Sequence, residues 1–263
     1  MTGNNALTGC KVSGCIVTHN NMRTIKKTLQ TLLRETRGVD FKLYIVDNLS
    51  TDGTIEYIRE KYGADPRVEI LEPHTNNGFG AGHNLVLPLL DSDFHAIINP
   101  DVELREDVIA KLAAYMYGHD DIGLLSPRIR FPDGRDQILG KRNPKLRYLV
   151  ASRLRGSGTP GRLLREYAML DCDLSVPQDI ENATGCFMFI RTDLFRQLGG
   201  FDPHYFMYFE DSDLTRTVCR TSRAVYYPDA CVYHVWGRDS KKNGKLRRIQ
   251  IRSMLYYFRK WRR

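Results

Sequence analysis

The sequence predicts an α/β fold in which a mostly parallel central sheet carries helices on both faces. In the first half of the chain, short apolar runs of strand length alternate with segments whose apolar residues recur at helical spacing. This alternation is typical of parallel strands joined by helical crossovers. A length of 263 residues and a hydrophobic content of 42% suit one large globular domain.

The first half supplies strands and helices in turn. The first helix illustrates the pattern, because Ile25, Leu29 and Leu32 follow one of its faces. Glycines at 78, 80 and 82 punctuate the loop before the third helix. The predicted strands are 12–17, 41–46, 68–71 and 95–98, and the predicted helices are 22–35, a segment around 55–58, 81–90 and 105–117.

The second half is less regular. The stretch 143–177 is basic and polar, and we expect a partly mobile excursion there. One domain over 1–240 and a tail over 241–263 therefore describe the chain. The predicted elements of this half are a hairpin around Asp133-Gly134, strands over 186–190, 224–227 and 231–234, a helix that ends at Gly199-Gly200, and a helix over 211–220.

The net charge of +8 belongs to the tail. Residues 241–263 contain ten lysines and arginines and no acidic residue, so residues 1–240 carry −2. This distribution argues against a nucleic-acid-binding domain. Apolar residues at 246, 249, 254, 257, 258 and 261 lie near helical spacing, which predicts a basic amphipathic helix on an anionic membrane surface. A helix packed on the domain, an oligomer contact and a nucleic-acid patch are the alternatives.

The cysteines and the N-terminus indicate the compartment. Six cysteines are scattered without metal-ligand spacing, which predicts reduced thiols in a cytosolic protein. Residues 1–9 lack the apolar segment of a signal peptide, and no apolar run approaches the ~20 residues that span a bilayer. We expect a cytoplasmic protein that binds peripherally to the inner face of the cell membrane.

Polar side chains follow four of the predicted strands, at the edge of an open α/β sheet where ligands bind. A ligand that contacts four strand ends is large and polar, such as a nucleotide diphosphate sugar. Asp47 would accept a hydrogen bond from a pyrimidine or a ribose, or would simply cap the next helix. The glycines would let the backbone approach a ligand, or form a plain flexible loop. The side chains concerned are Thr18, Asn20, Asp47, Asn48, Asn77, Asn84 and Asp101.

Two further motifs carry candidate chemistry. Asp101 supplies a carboxylate that could hold a divalent cation, which would neutralise a leaving diphosphate. A common turn is the alternative, and His234 taken alone is more often structural. Glu210-Asp211 opens a helix, where the dipole favours the ionised carboxylate that a general base requires. An ordinary acidic first turn is the alternative, and adjacent helix residues point ~100° apart, so one of the two would face an acceptor.

Together these motifs resemble the inverting family 2 glycosyltransferases of GT-A fold, and among them the bacterial rhamnosyltransferase-like members. The first position of the family's D-x-D element is Asn99 here, so one carboxylate is lost. Asn99-Pro100-Asp101 is what the rhamnosyltransferase-like members look like. The resemblance covers about 11–240, and the matching segments are 17–20, 46–54, 77–84, 99–101, 185–188, 199–202, 206–214 and His234.

The resemblance implies a role for each candidate residue. Asp211 would be the catalytic base, with Glu210 beside it. Asp101 would bind a divalent metal, Mg²⁺ or Mn²⁺, with His234 as the second ligand. The donor-binding half would span about 11–126, and the acceptor and catalytic half about 127–240. The donor nucleotide sugar would be bound by Thr18, Asn20, Asp47, Asn48, Asn77, Gly78, Asn84 and Asn99.

The activity that the resemblance implies is inverting transfer of L-rhamnose from dTDP-L-rhamnose to a hydroxyl of a lipid-linked glycan, in the synthesis of a bacterial cell-surface polysaccharide. A UDP-hexose-dependent enzyme is the alternative for the donor. A non-catalytic nucleotide-sugar-binding protein would tolerate the loss of Asp101 or Asp211, and both are present. A sugar nucleotidyltransferase would need a glycine- and arginine-rich loop with a lysine, which residues 12–24 lack.

Overall fold

The computed structural model describes residue 7 and residues 9–154, 159–235 and 244–262. Within these ranges no helix combines the length and the apolar composition needed to cross a membrane. The strands are β1 (Lys11–Thr18), β2 (Asp40–Asp47), β3 (Val68–Leu71), β4 (Phe94–Ile98), β5 (Val102–Leu104), β6 (Ile122–Arg130), β7 (Gln178–Asp179), β8 (Phe187–Arg191) and β9 (Arg223–His234). The helices are α1 (Met22–Glu35), α2 (Thr54–Tyr62), α3 (Phe79–Asn84), α4 (Val108–Tyr117), α5 (Leu146–Leu154), α6 (Arg162–Tyr167), α7 (Thr192–Gln197), α8 (Glu210–Val218) and α9 (Gly244–Lys260).

The described strands form a single sheet in the order β3-β2-β1-β4-β8-β6-β9-β5, with β7 paired to β9. The pairs within β3-β2-β1-β4 are parallel, as predicted. Beyond β4 only β6 and β9 pair in parallel, and the remaining pairs are antiparallel. The α/β class with helices around a central sheet is confirmed, and its second half is a mixed sheet.

Both faces of the sheet are covered, which explains the continuous apolar runs of its central strands. Side chains alternate along β1: Ile16 enters one buried cluster with the apolar face of α1, while Cys15 and Val17 enter the other. Helix α1 also reaches the edge of the sheet, because the hydroxyl of Thr28 donates to the backbone carbonyl of Pro100. The core therefore positions the turn that follows β4.

Parallel register brings the predicted strand ends together. Thr18 lies opposite Asp47 in the β1–β2 pairing, and Ile16 lies opposite Ile98 in the β1–β4 pairing. The turn that begins at Asn99 therefore leaves the sheet at the same edge as β1 and β2. This edge holds the polar residues that sequence reasoning expected to meet.

Three predicted elements differ from the structure. The stretch 143–177, expected as an irregular excursion, contains the helices α5 and α6. The helix predicted over 81–90 ends at Asn84 and gives way to a 3-10 turn over Leu87–Leu89, where Pro88 lacks a backbone donor. The two strands predicted at 224–227 and 231–234 are one strand, β9, with a bulge opposite Pro127 and Arg128.

The C-terminal helix α9 packs one face on the domain. Tyr257 is fully buried and lies against Phe209, immediately before α8. Asp213 of α8 accepts hydrogen bonds from Lys260 at 2.8 Å and from the indole of Trp261 at 2.7 Å. The basic helix predicted over 241–263 thus exists over its described part, and residues 241–243 and 263 lie outside the described residues. The packed-helix alternative therefore holds for this face, and Tyr257 and Trp261, which were predicted to face a membrane, pack on the domain instead.

We expect Asp213→Ala to lower the free energy of unfolding by about 2 kcal/mol, since the Trp261 N–H and the Tyr205 hydroxyl lose their buried acceptor while Lys260 keeps Asp202. Urea unfolding monitored by circular dichroism measures the change. Glu72→Ala is the control, because the Glu72–Arg59 ion pair is exposed and contributes ~1 kcal/mol or less. Equal losses in the two variants would contradict a structural role for the buried carboxylate.

Candidate active site

The first part of the site lies at the ends of β1 and β2. Thr18 is buried, and its hydroxyl donates to Asn21 Oδ1 at 3.0 Å. Asp47 Oδ2 accepts the backbone N–H of Ser50 at 2.9 Å. This bond lies in the turn before α2, which begins at Thr54 without a side-chain cap, so the capping alternative considered from the sequence is wrong. Asp47 Oδ1 is buried without a hydrogen-bond partner in the described structure. One oxygen of Asp47 therefore remains for a ligand.

Asn20 organises the loop after β2. Its backbone takes the left-handed conformation, with φ of 58°, which asparagine tolerates better than most residues. Its Oδ1 accepts the N–H of Thr51 at 2.7 Å, and its own N–H donates to the hydroxyl of Ser50 at 2.9 Å. These bonds give Asn20 a positioning role, and its contact with a donor stays a prediction.

Asn48 connects β2 to the glycine loop. Its side-chain amide donates to the carbonyl of Gly78 at 3.0 Å, while its Oδ1 is buried without a hydrogen-bond partner in the described part of the chain. The next N–H, from Phe79, donates to the carbonyl of Phe206 at 2.9 Å. Asn77 beside them is exposed and accepts a hydrogen bond from Thr75. The glycine loop is thus held between β2 and the segment that leads into α8.

Asn84, at the end of α3, is engaged with the backbone. Its Nδ2 donates to the carbonyl of Phe201 at 2.7 Å, and its Oδ1 accepts the N–H of the same residue at 2.8 Å. The side chain therefore fixes Phe201, which packs on Phe79. Its predicted contact with the donor receives no support from these bonds and stays a prediction.

Asp101 and His234 lie together, as the sequence predicted, because β5 pairs with β9 and sets Val102 opposite His234. Asp101 Oδ1 lies 3.3 Å from His234 Nε2, without the alignment of a hydrogen bond. The half-buried Asn99 opens this turn, and its N–H donates to the carbonyl of Cys186. An oxygen and a nitrogen this close can contact the same cation.

Gln137 orients His234 and was missed from the sequence. Its Oε1 lies 3.1 Å from His234 Nδ1, and its Nε2 donates to the His234 carbonyl at 2.6 Å. This contact directs Nε2 of the imidazole toward Asp101, as outer ligands do in metal sites. Burial opposes a charged imidazole, but the neighbouring Cys186 and Asp101 outweigh it and raise the pKa of His234 to about 10. A metal at this nitrogen therefore competes with a proton.

The donor set fits a divalent cation that shares its coordination with a ligand. Among the described residues, no group of three or more histidine, cysteine or acidic side chains could hold a metal ion. Asp101 and His234 supply one carboxylate and one imidazole, which suits Mn²⁺ or Mg²⁺ when phosphate oxygens complete the shell. These two residues would hold such a cation.

The segment before α8 is strained. Tyr208 and Phe209 are consecutive non-glycine residues with φ of 72° and 70°, a conformation that costs about 1–2 kcal/mol at each position. Such outliers persist where the surroundings hold them, commonly at functional sites. They deliver Glu210 and Asp211 at the start of α8, where the helix dipole favours negative charge. No sequence pattern predicted this strain.

The two adjacent carboxyl groups have different surroundings. Asp211 Oδ2 accepts the N–H of Gly185 at 2.9 Å, and Oδ1 accepts the N–H of Ser212 at 2.7 Å. A side chain at Gly185 would begin 3.1 Å from Asp211, so this position favours glycine. Glu210 Oε2 is buried without a hydrogen-bond partner in the described structure. Asp211 is supported as an anion, and Glu210 is not.

The pKa values of the pair follow from these surroundings. Burial, followed by the nearby Asp211, raises the pKa of Glu210 well above its ordinary value. Burial also raises the pKa of Asp211, but the N–H groups of Gly185 and Ser212 oppose that rise. Glu210 is therefore the protonated member of the pair near neutral pH. Asp211 is the carboxylate suited to accept a proton.

Comparison with known proteins identifies the family of the chain. The family model described as Glycosyl transferase family 2 matches residues 13–199. A rhamnosyltransferase of Mycobacterium tuberculosis, N-acetylglucosaminyl-diphospho-decaprenol L-rhamnosyltransferase, is 28% identical over 202 residues, which are 72% of this chain and 65% of the relative. An uncharacterised protein of Sinorhizobium fredii, y4gI, is 28% identical over 85% of this chain and 24% of its own length. The chain thus spans less than two thirds of either relative.

Solved structures confirm the GT-A type of fold. GalNAc-T7 with UDP, GalNAc and Mn²⁺ superimposes with a TM-score of 0.64 at 17% identity, over 86% of this chain and 43% of that one. Residues 1–349 of TarS from S. aureus give 0.61 at 18% identity, over 92% and 65%. The mannosyltransferase PcManGT of Pyrobaculum calidifontis, with GDP-Man and Mn²⁺, gives 0.62 at 17%, over 85% and 56%. At these identities the likeness concerns the fold.

Gly78 is expected to be intolerant of any side chain. Its φ is +89°, and an added Cβ would lie 2.0 Å from the carbonyl oxygen of Phe206. Gly78→Ala should therefore destabilise the protein by more than the about 1–2 kcal/mol of left-handed strain. Gly134→Ala is the matched control, because Gly134 has φ of +88° and nothing within 4 Å of an added Cβ. Urea unfolding compares the two, and equal destabilisation would refute the steric argument.

Proposed function

The chain belongs to glycosyl transferase family 2, and from that premise we propose that it transfers L-rhamnose from dTDP-L-rhamnose, with inversion, to a hydroxyl of a lipid-linked glycan. The product would serve the synthesis of a bacterial cell-surface polysaccharide. The family and the fold support glycosyltransferase activity. The donor, the acceptor and the stereochemistry are the proposed part.

One observation supports the proposal most directly. Asp47, Asn48 and Glu210 each keep a buried side-chain oxygen without a hydrogen-bond partner in the described structure. Each such atom costs about 1–3 kcal/mol in an unliganded fold. Hydrogen-bond donors on a nucleotide sugar, together with a cation, would satisfy groups of this kind.

Contacts across the site connect these residues. Asn48 holds the glycine loop, and Glu210 lies 3.7 Å from where a side chain at Gly80 in that loop would begin. Asn99 bonds to Cys186, whose neighbour Gly185 bonds to Asp211. Hydrogen bonds and packing contacts therefore connect the proposed donor-binding residues to the proposed base.

The proposed chemistry assigns a role to each side of the site. Asp211 accepts the proton of the acceptor hydroxyl as the oxygen of that hydroxyl attacks the anomeric carbon. The nucleoside diphosphate departs from the opposite face of the sugar. A divalent cation held by Asp101 and His234 would neutralise charge on the departing diphosphate. Inversion follows when base and leaving group lie on opposite sides of one carbon.

Rhamnose is proposed as the sugar because of the Mycobacterium tuberculosis relative, whose name includes both L-rhamnosyl transfer and a diphospho-decaprenol acceptor. A UDP-hexose donor is the second candidate, and the TarS and GalNAc-T7 structures support nucleotide-sugar binding by this fold. Asn99-Pro100-Asp101 also resembles the motif of the rhamnosyltransferase-like members, which favours rhamnose.

We also propose that the protein works at the cytoplasmic face of the cell membrane. A lipid-linked acceptor resides there, and the exposed part of α9 carries arginines together with Ile251 and Leu255, which are 40% and 62% exposed. Such a surface fits an anionic bilayer. Binding to vesicles with and without anionic lipid tests this part.

Nucleotide binding tests the donor assignment and the metal together. We expect dTDP and dTDP-L-rhamnose, each with Mn²⁺ or Mg²⁺, to raise the melting temperature, because a ligand at 100 times its Kd stabilises the fold by about 2.7 kcal/mol. Asp101→Asn should abolish the metal-dependent part of the shift. A rise in melting temperature with UDP sugars alone would contradict the rhamnosyl assignment. No change in melting temperature with any nucleotide would favour a non-catalytic protein.

Substitutions at the carboxyl pair test the base. Asp211→Asn should lower kcat by about 10²–10⁴ and preserve donor affinity, since it removes the proton acceptor alone. Glu210→Gln should cost far less, because an amide resembles the protonated acid. The base must be ionised and its pKa is raised, so kcat/KM should fall with acid at a pH above the ordinary aspartate value of 3.8. The reverse order of the two variants would make Glu210 the base.

A further inference from the structure

A separate cleft of about 240 Å³ opens beside the proposed reaction centre. Gln137, which orients His234, lines one part of its wall. Thr184, which lines another, precedes the Gly185 N–H that bonds to Asp211. One residue of the cleft wall is thus hydrogen-bonded to a proposed metal ligand, and another is adjacent in sequence to the residue that is hydrogen-bonded to the proposed base.

Lys141 supplies an unneutralised charge in the cleft wall. Its ammonium lies 4.7 Å from the centre of the Tyr226 ring, and in the described part of the chain it forms no ion pair or hydrogen bond with an oxygen. Asp136 in the same wall is already bound by Arg128 through two hydrogen bonds of 2.6 and 2.7 Å. Burial lowers the pKa of Lys141 to about 8 against the opposing attraction of Asp136. The lysine thus lacks the anion that would stabilise it.

The backbone around Lys141 is fixed. Its N–H donates to the carbonyl of Tyr167, and its own carbonyl accepts the N–H groups of Glu181 and Asn182. These bonds keep the start of the side chain in the cleft wall. The backbone bonds thus place Lys141 in the cleft wall, where its ammonium lies over the ring of Tyr226.

Asn182 provides an independent sign of a ligand in the same wall. It is 5% exposed, and its Nδ2 donates to the carbonyl of Gly140 at 2.8 Å. Its Oδ1 is buried and has no partner in the described structure. A buried amide oxygen requires a hydrogen-bond donor. An unneutralised cation and an unpaired acceptor together fit a ligand that carries both an anionic group and hydroxyl groups.

We propose that this cleft is the acceptor subsite and that it binds a sugar linked to a phosphate or diphosphate, with Lys141 on the phosphate and Asn182 accepting from a sugar hydroxyl. The inference rests on the proposed function and deepens it, since it names the acceptor class from the cleft itself. Neither residue would contact the reacting atoms, so both determine acceptor specificity. A lipid carrier and a soluble glycosyl phosphate share this chemistry.

Isothermal titration calorimetry tests the subsite directly, without turnover. The probes are an N-acetylglucosaminyl diphosphate with a short alkyl chain, the same sugar as a neutral alkyl glycoside, inorganic pyrophosphate, and dTDP. Lys141→Met should weaken the sugar diphosphate by about tenfold or more, as expected for the loss of a hydrogen bond to a charged group, and leave dTDP unchanged. Lys145→Met is the matched control, because that lysine is exposed four residues later. Its affinities should equal those of the wild type.

Several outcomes would overturn the inference. Equal affinity of the wild type and Lys141→Met for the sugar diphosphate removes the role of the lysine. A matching loss of dTDP affinity assigns the lysine to the donor diphosphate instead. Pyrophosphate bound as tightly as the sugar diphosphate leaves an anion site with no sugar. The chain length of the probe separates the two sources of this chemistry: once Lys141→Met has lost affinity, tighter binding of a longer-chain sugar diphosphate by the wild type supports the lipid carrier, and equal binding supports the soluble glycosyl phosphate.

A second variant covers the case in which Lys141→Met fails to fold. Asn182→Ala removes the unpaired oxygen that would accept from the sugar hydroxyl, so it should weaken the sugar diphosphate by about tenfold and leave pyrophosphate unchanged. Unchanged affinity in that variant contradicts the subsite. Rhamnosyl transfer is assayed separately, so a protein that binds the sugar diphosphate through Lys141 but transfers no sugar refutes the proposed function alone.

Discussion

The placement of α8 is the constraint on which the rest of the site depends. Its first turn is held from three directions by three different acidic side chains. Asp211 accepts the N–H of Gly185, Glu210 packs beside the glycine loop, and Asp213 binds the end of α9. The Phe79–Phe206 backbone bond joins the same region to the glycine loop. Because these contacts come from separate parts of the chain, a shift of α8 would displace the glycine loop, the carboxyl pair and α9 together.

These contacts also explain how the fold tolerates unfavourable groups. The left-handed pair Tyr208 and Phe209 and the unpartnered oxygen of Glu210 each cost on the order of 1–3 kcal/mol. The buried Tyr257 against Phe209, and the bonds from α9 to Asp213, offset part of that cost. The C-terminal helix thus helps to maintain the strained turn at Tyr208 and Phe209. This turn places the two adjacent carboxyl groups in different surroundings, so that Glu210 is a neutral acid and Asp211 is a carboxylate.

The sequence could predict what depends on short-range pattern and parallel geometry. Apolar runs located the central strands, and the meeting of Thr18, Asp47 and the Asn99 turn follows from the parallel register of strand ends. It could not predict Gln137, Lys141 or Asn182, which lie in irregular segments and meet only through the long-range packing of β6, β8 and β9. Helix α5 lacks a clear apolar stripe, so its pattern resembled a loop.

The C-terminal helix shows why a charge count alone is a weak argument. The tail carries ten basic residues, but Lys260 is bound to Asp202 and Asp213 and lies on the packed face with Tyr257. The membrane proposal therefore depends on the residues of the opposite face. There the exposed arginines at 247, 248, 252 and 259 alternate with Ile251 and Leu255 at helical spacing, so basic and apolar groups share one surface. A single helix can in this way stabilise the strained turn at Tyr208 and Phe209 through one face and leave the other face for an anionic bilayer.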